Sequence, residues 1–172
     1  KGSWRRDVDP QYKANRKENR EKHDINWTEE FKAFNELYEK LDSATPFHVV
    51  IADKLEADDI IAYSCRYFRN SECTIISVDS DYEQLLAFSN VKLFSPLAKR
   101  YKQVKNPYAV LASKIKKETA DNLTSEITTE AEYLRREKIV TLLRLPEEVE
   151  KKVEEKIRFL PEKEFIFELL PF

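Results

Sequence analysis

Apolar and polar positions divide the chain into short blocks of two kinds. Two nearly unbroken apolar runs, Phe47-His48-Val49-Val50-Ile51-Ala52 and Cys73-Thr74-Ile75-Ile76-Ser77-Val78, read as buried strands. Val91 to Phe94 and Arg100 to Val104 alternate, which predicts a hairpin across the turn Ser95–Lys99, with a basic side. Helical spacing governs the rest. From Trp27 to about Asp42, capped by Asn26 or Thr28, the residues Phe31, Phe34, Leu37, Tyr38 and Leu41 predict one buried face. Glu56 to Phe68 places Ile60, Ile61, Ser64, Cys65 and Phe68 inward, and Asp81 opens a short helix with Tyr82, Leu85, Leu86 and Phe88 packed. Further helices are expected from Pro107 through Ile115, from Glu130 to Leu145 and from Pro146 to Phe159. Leu160 to Phe172 is an apolar tail, with one short strand expected over Glu164–Leu169.

Residues 1–22 differ from the rest. They begin extended and turn helical near Pro10, with Tyr12, Lys13, Arg16, Lys17 and Arg20 at helical spacings and too few apolar residues to pack a face. A helix projecting from the body is predicted. The order β-α-β-α-β-β followed by helices predicts an α/β fold, a mainly parallel central sheet flanked by helices. One domain over 1–172 is expected, with 1–26 as the projecting segment and 118–172 as a C-terminal helical portion.

Composition narrows the classes. With 172 residues, 41% hydrophobic and 36% charged, the chain is long and apolar enough for a real core. No apolar run approaches the roughly 20 residues of a membrane span, and no signal peptide is visible. Cys65 and Cys73 read as reduced core residues of a cytoplasmic protein. The single glycine, Gly2, excludes a glycine-rich phosphate loop, and the lack of methionine suggests an excised or processed chain.

Charge is segregated although the net value is −2. Residues 1–22 carry eight Lys/Arg against four Asp/Glu, and residues 92–117 carry eight Lys/Arg and no acid. The two remaining blocks are acidic. Basic blocks flanking acidic strand ends suit a polyanion lying over a metal site. Trp4 and Tyr12 among Arg5, Arg6, Lys13, Arg16, Lys17 and Arg20 combine flat rings with cations, the mixture single-stranded nucleic acid favours. Lys99, Arg100, Lys102, Lys116 and Lys117 form the second cationic surface.

The candidate metal ligands are Glu56, Asp58, Asp59, Asp79, Asp81, Glu118 and Asp121. Glu56 and Asp59 share a helix face, Asp79 and Asp81 share a side of a strand end, and Glu118 and Asp121 are three apart. Each pair alone is an ordinary helix cap or turn. Together they seat two Mg²⁺ or Mn²⁺ ions, hard cations that take oxygen ligands. His23 and His48 are isolated, and no Ser/His/Asp or Cys/His arrangement is visible.

The ordered motifs Trp4-Arg5-Arg6, Tyr12-Lys13-Ala14-Asn15-Arg16, Glu56-Ala57-Asp58-Asp59, Ser77-Val78-Asp79-Ser80-Asp81 with Gln84-Leu85, and Asp121-Asn122 resemble the signature of the 5′-nuclease family. They are most similar to flap endonucleases and phage ribonuclease H-type 5′→3′ exonucleases, over about residues 3 to 145. The resemblance implies a Mg²⁺-dependent 5′→3′ exonuclease or flap endonuclease of replication and repair, in a bacterial or phage-infected cell. Its substrate would be DNA with a 5′ end or flap, or RNA in RNA–DNA hybrids. It implies that Glu56 and Asp58, with Asp59 nearby, bind or support a first metal, that Asp79 is a ligand, and that Asp81 binds a second. Asp121 matches the DN aspartate, and Glu118 stands where the family has aspartate. Tyr12, Lys13 and Arg16 would lie on an arch over the 5′ strand with Arg5 and Arg6 at its base, Lys13 and Arg16 steadying phosphate.

The departures are specific. Strands bearing metal-binding aspartates precede Trp-Arg-Arg in the family, so two expected carboxylates are missing here, to be supplied by a lost start or a second polypeptide. Lys117 replaces a family glycine, and the helix-hairpin-helix module expected after the DN motif is either deleted or simply missing from this chain. The alternative expectation is a catalytically incomplete nucleic-acid-binding module of the same fold.

Overall fold

The computed structural model describes residues 2–16, 22, 25–116 and 127–163. The expected strand at Glu164–Leu169 and the candidate residues Lys17, Arg20, Lys117, Glu118 and Asp121 lie outside them. In chain order the elements are α1 (Arg5–Val8), α2 (Trp27–Ala44), α3 (Ala57–Tyr67), β1 (Cys73–Ile76), a 3-10 helix (Asp81–Ala87), β2 (Val91–Ser95), β3 (Arg100–Tyr101), α4 (Pro107–Lys116), α5 (Glu130–Val140) and α6 (Glu147–Ile157).

The fold is α/β. β1 pairs parallel to β2 in the register Cys73↔Val91 to Ile76↔Phe94, and β3 closes the sheet antiparallel to β2. β2 is the central strand, and its alternation buries Val91, Leu93 and Ser95 while Lys92 faces out. α3 and α6 pack together, and the 3-10 helix packs on α4 and β2. The main core joins Ala62 and Cys65 of α3, Ile75 of β1, Leu93 of β2, Tyr82 and Leu85 of the 3-10 helix, and Leu142, Leu145 and Val149 around the start of α6. Trp4, a residue expected on a nucleic-acid surface, belongs to this core. Both cysteines are free thiols, and burial pushes the Cys65 thiol up to about 12, with Cys73 adding to the shift. Among the described residues, no helix is long and apolar enough to cross a membrane.

Three expectations are corrected. Phe47–Ala52 forms no strand: the segment is extended but has no ladder partner among the described residues, and Phe47 and Ile51 are more than half exposed. A strand exists only through a neighbour's hydrogen bonds, so an apolar run without a neighbour stays irregular. The apolar stripe of α2 is not buried either, with Phe31, Phe34, Leu37 and Tyr38 exposed because no described element covers them. Its N-terminus is as expected, Asn26 accepting the Glu29 amide. Third, Pro10 opens a turn rather than a helix: helical residues begin only at Asn15, residues 17–21 lie outside the described ones, and Tyr12, expected on the projecting segment, is buried against Ile139, Val8 and Val140.

The burial pattern predicts the effect of core truncation. Leu93 is fully buried on the central strand, so Leu93→Ala should destabilise by about 3 kcal/mol, read from the urea midpoint. Leu97, 85% exposed in the β2–β3 turn, should change stability by less than about 0.5 kcal/mol as Leu97→Ala.

Candidate active site

A buried cation ties the N-terminal segment to α3 and α5. Arg5 is 2% exposed, and its Nη1 donates to Asp59 Oδ2 at 3.1 Å while Nη2 makes a 2.8 Å ion-pair contact with Oδ1. Its Nε donates to the Ile139 carbonyl at 2.7 Å. Burial alone would lower the Arg5 pKa, but Asp59, with Tyr12 and Glu56, overcomes that and raises it. Trp4 Nε1 donates to the same Asp59 Oδ2 at 3.1 Å, as does the Glu56 amide at 2.9 Å. Asp59 and Arg5 are thus largely spent on each other: Asp59 is fully buried, and Arg5, at 2% exposure, contributes only an edge to the neighbouring acidic cleft.

The other acids converge from two directions. Glu56 stands at the N-terminal boundary of α3 and Asp58 in its first turn. Asp79 and Asp81 follow β1 in a tight turn: Ser77 Oγ accepts the Asp79 amide at 3.0 Å, and Asp79 Oδ1 accepts the Asp81 amide at 2.8 Å. All four line one cleft of about 420 Å³, together with Lys13, Arg16 and Lys114.

Each cation has a defined approach. Lys13 Nζ donates to Glu56 Oε2 at 2.8 Å, and the same oxygen accepts Tyr12 Oη at 3.0 Å. Lys13 has φ +54°, a left-handed conformation costing a side-chain-bearing residue about 1 kcal/mol. Arg6 braces that bend, its Nε donating to the Tyr12 carbonyl and its Nη2 to the Lys13 carbonyl. Lys114, in the last turn of α4, ion-pairs with Asp81 and donates to Ser80 Oγ at 2.9 Å.

Two carboxyls feel opposite fields. Burial would raise the Glu56 pKa, but the Lys13 hydrogen bond and charge, with Arg5 and Tyr12, hold it below the usual value. Burial dominates at Asp58 and raises its pKa despite the Tyr82 hydroxyl, which donates to Oδ1 at 2.7 Å. Burial, the Asp58 bond, and the charges of Asp58, Asp79 and Asp81 all raise the Tyr82 pKa, so Tyr82 is a neutral donor.

The cleft's donors are oxygens only, the chemistry a hard divalent ion takes, and a cation beside Asp58 would relieve its desolvation. Among the described residues, however, no three acidic, histidine or cysteine side chains converge closely enough to hold a metal. The basic surface divides as well. Arg100 and Lys102 line a separate groove, Lys102 paired with Glu83 at 2.7 Å, while Lys99 and Lys116 are exposed.

Three residues in this arrangement had no assigned role in the sequence reading. Lys114 lay inside the basic block but was indistinguishable there from its neighbours. Tyr82 read only as packing. Gln84 belonged to a motif without a role: fully buried, it donates to the Val140 carbonyl at 3.1 Å and accepts the Leu142 amide at 3.1 Å, tying the 3-10 helix to the end of α5.

Residues 1–132 match the model of the 5′-3′ exonuclease, N-terminal resolvase-like domain. The chain is also similar to ribonuclease H of Enterobacteria phage T4, 34% identical over 129 residues, which is 72% of this chain and 42% of that protein.

The Glu56 contacts set a pH dependence. A carboxyl whose folded pKa lies below its unfolded value contributes stability above the unfolded pKa, and loses it as pH falls through the folded pKa. Glu56→Gln should therefore destabilise by about 1–2 kcal/mol at pH 7. Thermal melts should show the deficit closing below the ordinary carboxylate range.

Proposed function

Because the chain belongs to the 5′-3′ exonuclease family, we propose that it takes part in divalent-metal-dependent hydrolysis of nucleic-acid phosphodiesters, with the cleft between α3 and the end of β1 as the reacting site. The observation carrying this reading is that Glu56, Asp58, Asp79 and Asp81 line the same cleft as Lys13, Arg16 and Lys114. The substrate class is DNA with a 5′ end or flap, or the RNA of an RNA–DNA hybrid. In domain terms, residues 1–172 belong to one 5′-nuclease-like unit, with 1–26 as the arch or clamp segment and 118–172 as the C-terminal helical portion.

The chain's own residues divide the work. Glu56, Asp58, Asp79 and Asp81 would hold the cations, with Glu118 and Asp121 as further candidate ligands. A bound divalent ion supplies a polarised phosphoryl oxygen and an activated water. Lys13 and Lys114 stand on different walls of the cleft, each within ion-pair reach of a carboxylate. Their ammonium groups would neutralise phosphate oxygens of the substrate. Arg16 adds a further positive charge to the same cleft. Tyr82 orients Asp58 and keeps its own proton. Trp4, Arg5 and Asp59 fix the base of the segment rather than touch substrate. Arg6, Tyr12, Lys17 and Arg20 continue along that segment, and Lys99, Arg100, Lys102, Lys116 and Lys117 guide the polyanion farther out.

A second reading is a nucleic-acid-binding module of this fold without turnover. It is favoured by the lack, among the described residues, of three convergent metal-holding side chains.

Asp79→Ala separates the two. On a 5′-labelled flap substrate with Mg²⁺, the nuclease reading expects cleavage to fall at least about a hundredfold, while binding in Ca²⁺ holds within a few-fold. Lys114→Ala should lower cleavage by about tenfold or more, and chelation should abolish it. A wild-type chain that binds the substrate in Ca²⁺ yet never cleaves it in Mg²⁺ or Mn²⁺ supports the second reading.

A further inference from the structure

A second cleft, of about 490 Å³, lies among α2, the segment 47–52 and the start of α3 and is lined by Tyr38, Leu41, Phe47, Ile51, Leu55 and Ile60. Its walls are unusually apolar for a surface: Phe47 is 62% and Ile51 61% exposed. Along the same wall, none of the backbone N–H groups of His48, Val50, Ile51 and Ala52 donates to another described residue. His48 Nδ1 is enclosed there without a hydrogen-bond partner. Exposed apolar side chains beside a row of free amides are the surface a further stretch of polypeptide would cover.

The same chain brings such a stretch to the mouth of this cleft. Lys163 is anchored where α2 meets the extended segment: its Nζ donates to the Asp42 carbonyl at 2.6 Å and the Phe47 carbonyl at 3.2 Å, and ion-pairs with Asp42 Oδ1 at 2.7 Å. The sequence beyond it, Glu-Phe-Ile-Phe-Glu-Leu-Leu-Pro-Phe, is the most apolar remaining in the chain. Nine residues reach up to about 30 Å, against about 20 Å for the extended segment 47–52, so the length suffices.

We propose that residues 164–172 dock in this cleft as its intramolecular occupant. Docking buries Phe47 and Ile51 and braces Ala57, which lines both this cleft and the acidic one. The tail then backs the turn of α3 that presents Glu56 and Asp58, a role that stands whether or not the acids support hydrolysis.

The test uses the full chain with p-benzoylphenylalanine in place of Phe167. Irradiation at low concentration, followed by peptide mapping, should give intrachain links to 38–41 or 47–55. Ile51→Asp should cut that yield several-fold while circular dichroism stays native; if that variant unfolds, Phe47→Ser at the other end of the wall is read instead. Links to another face, a covalent dimer showing that a second copy fills the cleft, no link at all, or a yield indifferent to the wall substitution would each overturn the proposal.

Discussion

A guanidinium buried to 2% exposure is tolerable only where its donors are matched, and Arg5 meets that condition by touching α3 through Asp59 and α5 through the Ile139 carbonyl. The arrangement depends on this contact. Asp59 also accepts the Trp4 indole and the Glu56 amide, so one carboxylate fixes the N-terminal segment and the start of α3 together. Lys13, eight residues beyond Arg5, is thereby delivered to Glu56. A buried pair of this kind contributes little net stability over an apolar substitute, yet removing one partner strands the other charge. Its value here is positional: it sets where the cations of the N-terminal segment meet the acids of α3.

The cleft is a balance of charges. Lys13 and Lys114 satisfy Glu56 and Asp81, Tyr82 holds Asp58, and Asp79 spends one oxygen on the turn that places Asp81. Gln84 ties the acid-bearing 3-10 helix to the end of α5, which also receives Arg5. The two acidic motifs are therefore referenced to one backbone stretch, Ile139 to Leu142, through buried polar bonds that tolerate little displacement. Such rigidity is what a site requires when separately encoded carboxylates must share a ligand.

Much of this was legible in the sequence. The helical periods of α3, α4 and α6, the parallel pairing of the second apolar run, and the acidic motifs of the cleft follow from local pattern, because each element buries its apolar side against a neighbour within the chain. Two of the failures share one cause. Phe47–Ala52 and the stripe of α2 have the composition of buried elements, but burial depends on what covers them, which no local pattern states. Trp4, Arg5 and Asp59 were read as surface or ligand residues because their types suit nucleic acid and metal. That they consume one another is a long-range pairing across more than fifty residues, invisible to spacing. Lys114 was missed for the opposite reason: in a run of like charges, only the axis of α4 decides which lysine reaches Asp81.

The positional role of Arg5 is tested most directly by a double-mutant cycle of Arg5→Met and Asp59→Asn, with unfolding free energies from urea titration. Coupling through one buried pair predicts that the double variant is more stable than the summed single losses require, by about 2 kcal/mol or more. Strictly additive losses would mean that the two side chains do not hold each other, and the account of how the N-terminal segment reaches the acids would fail.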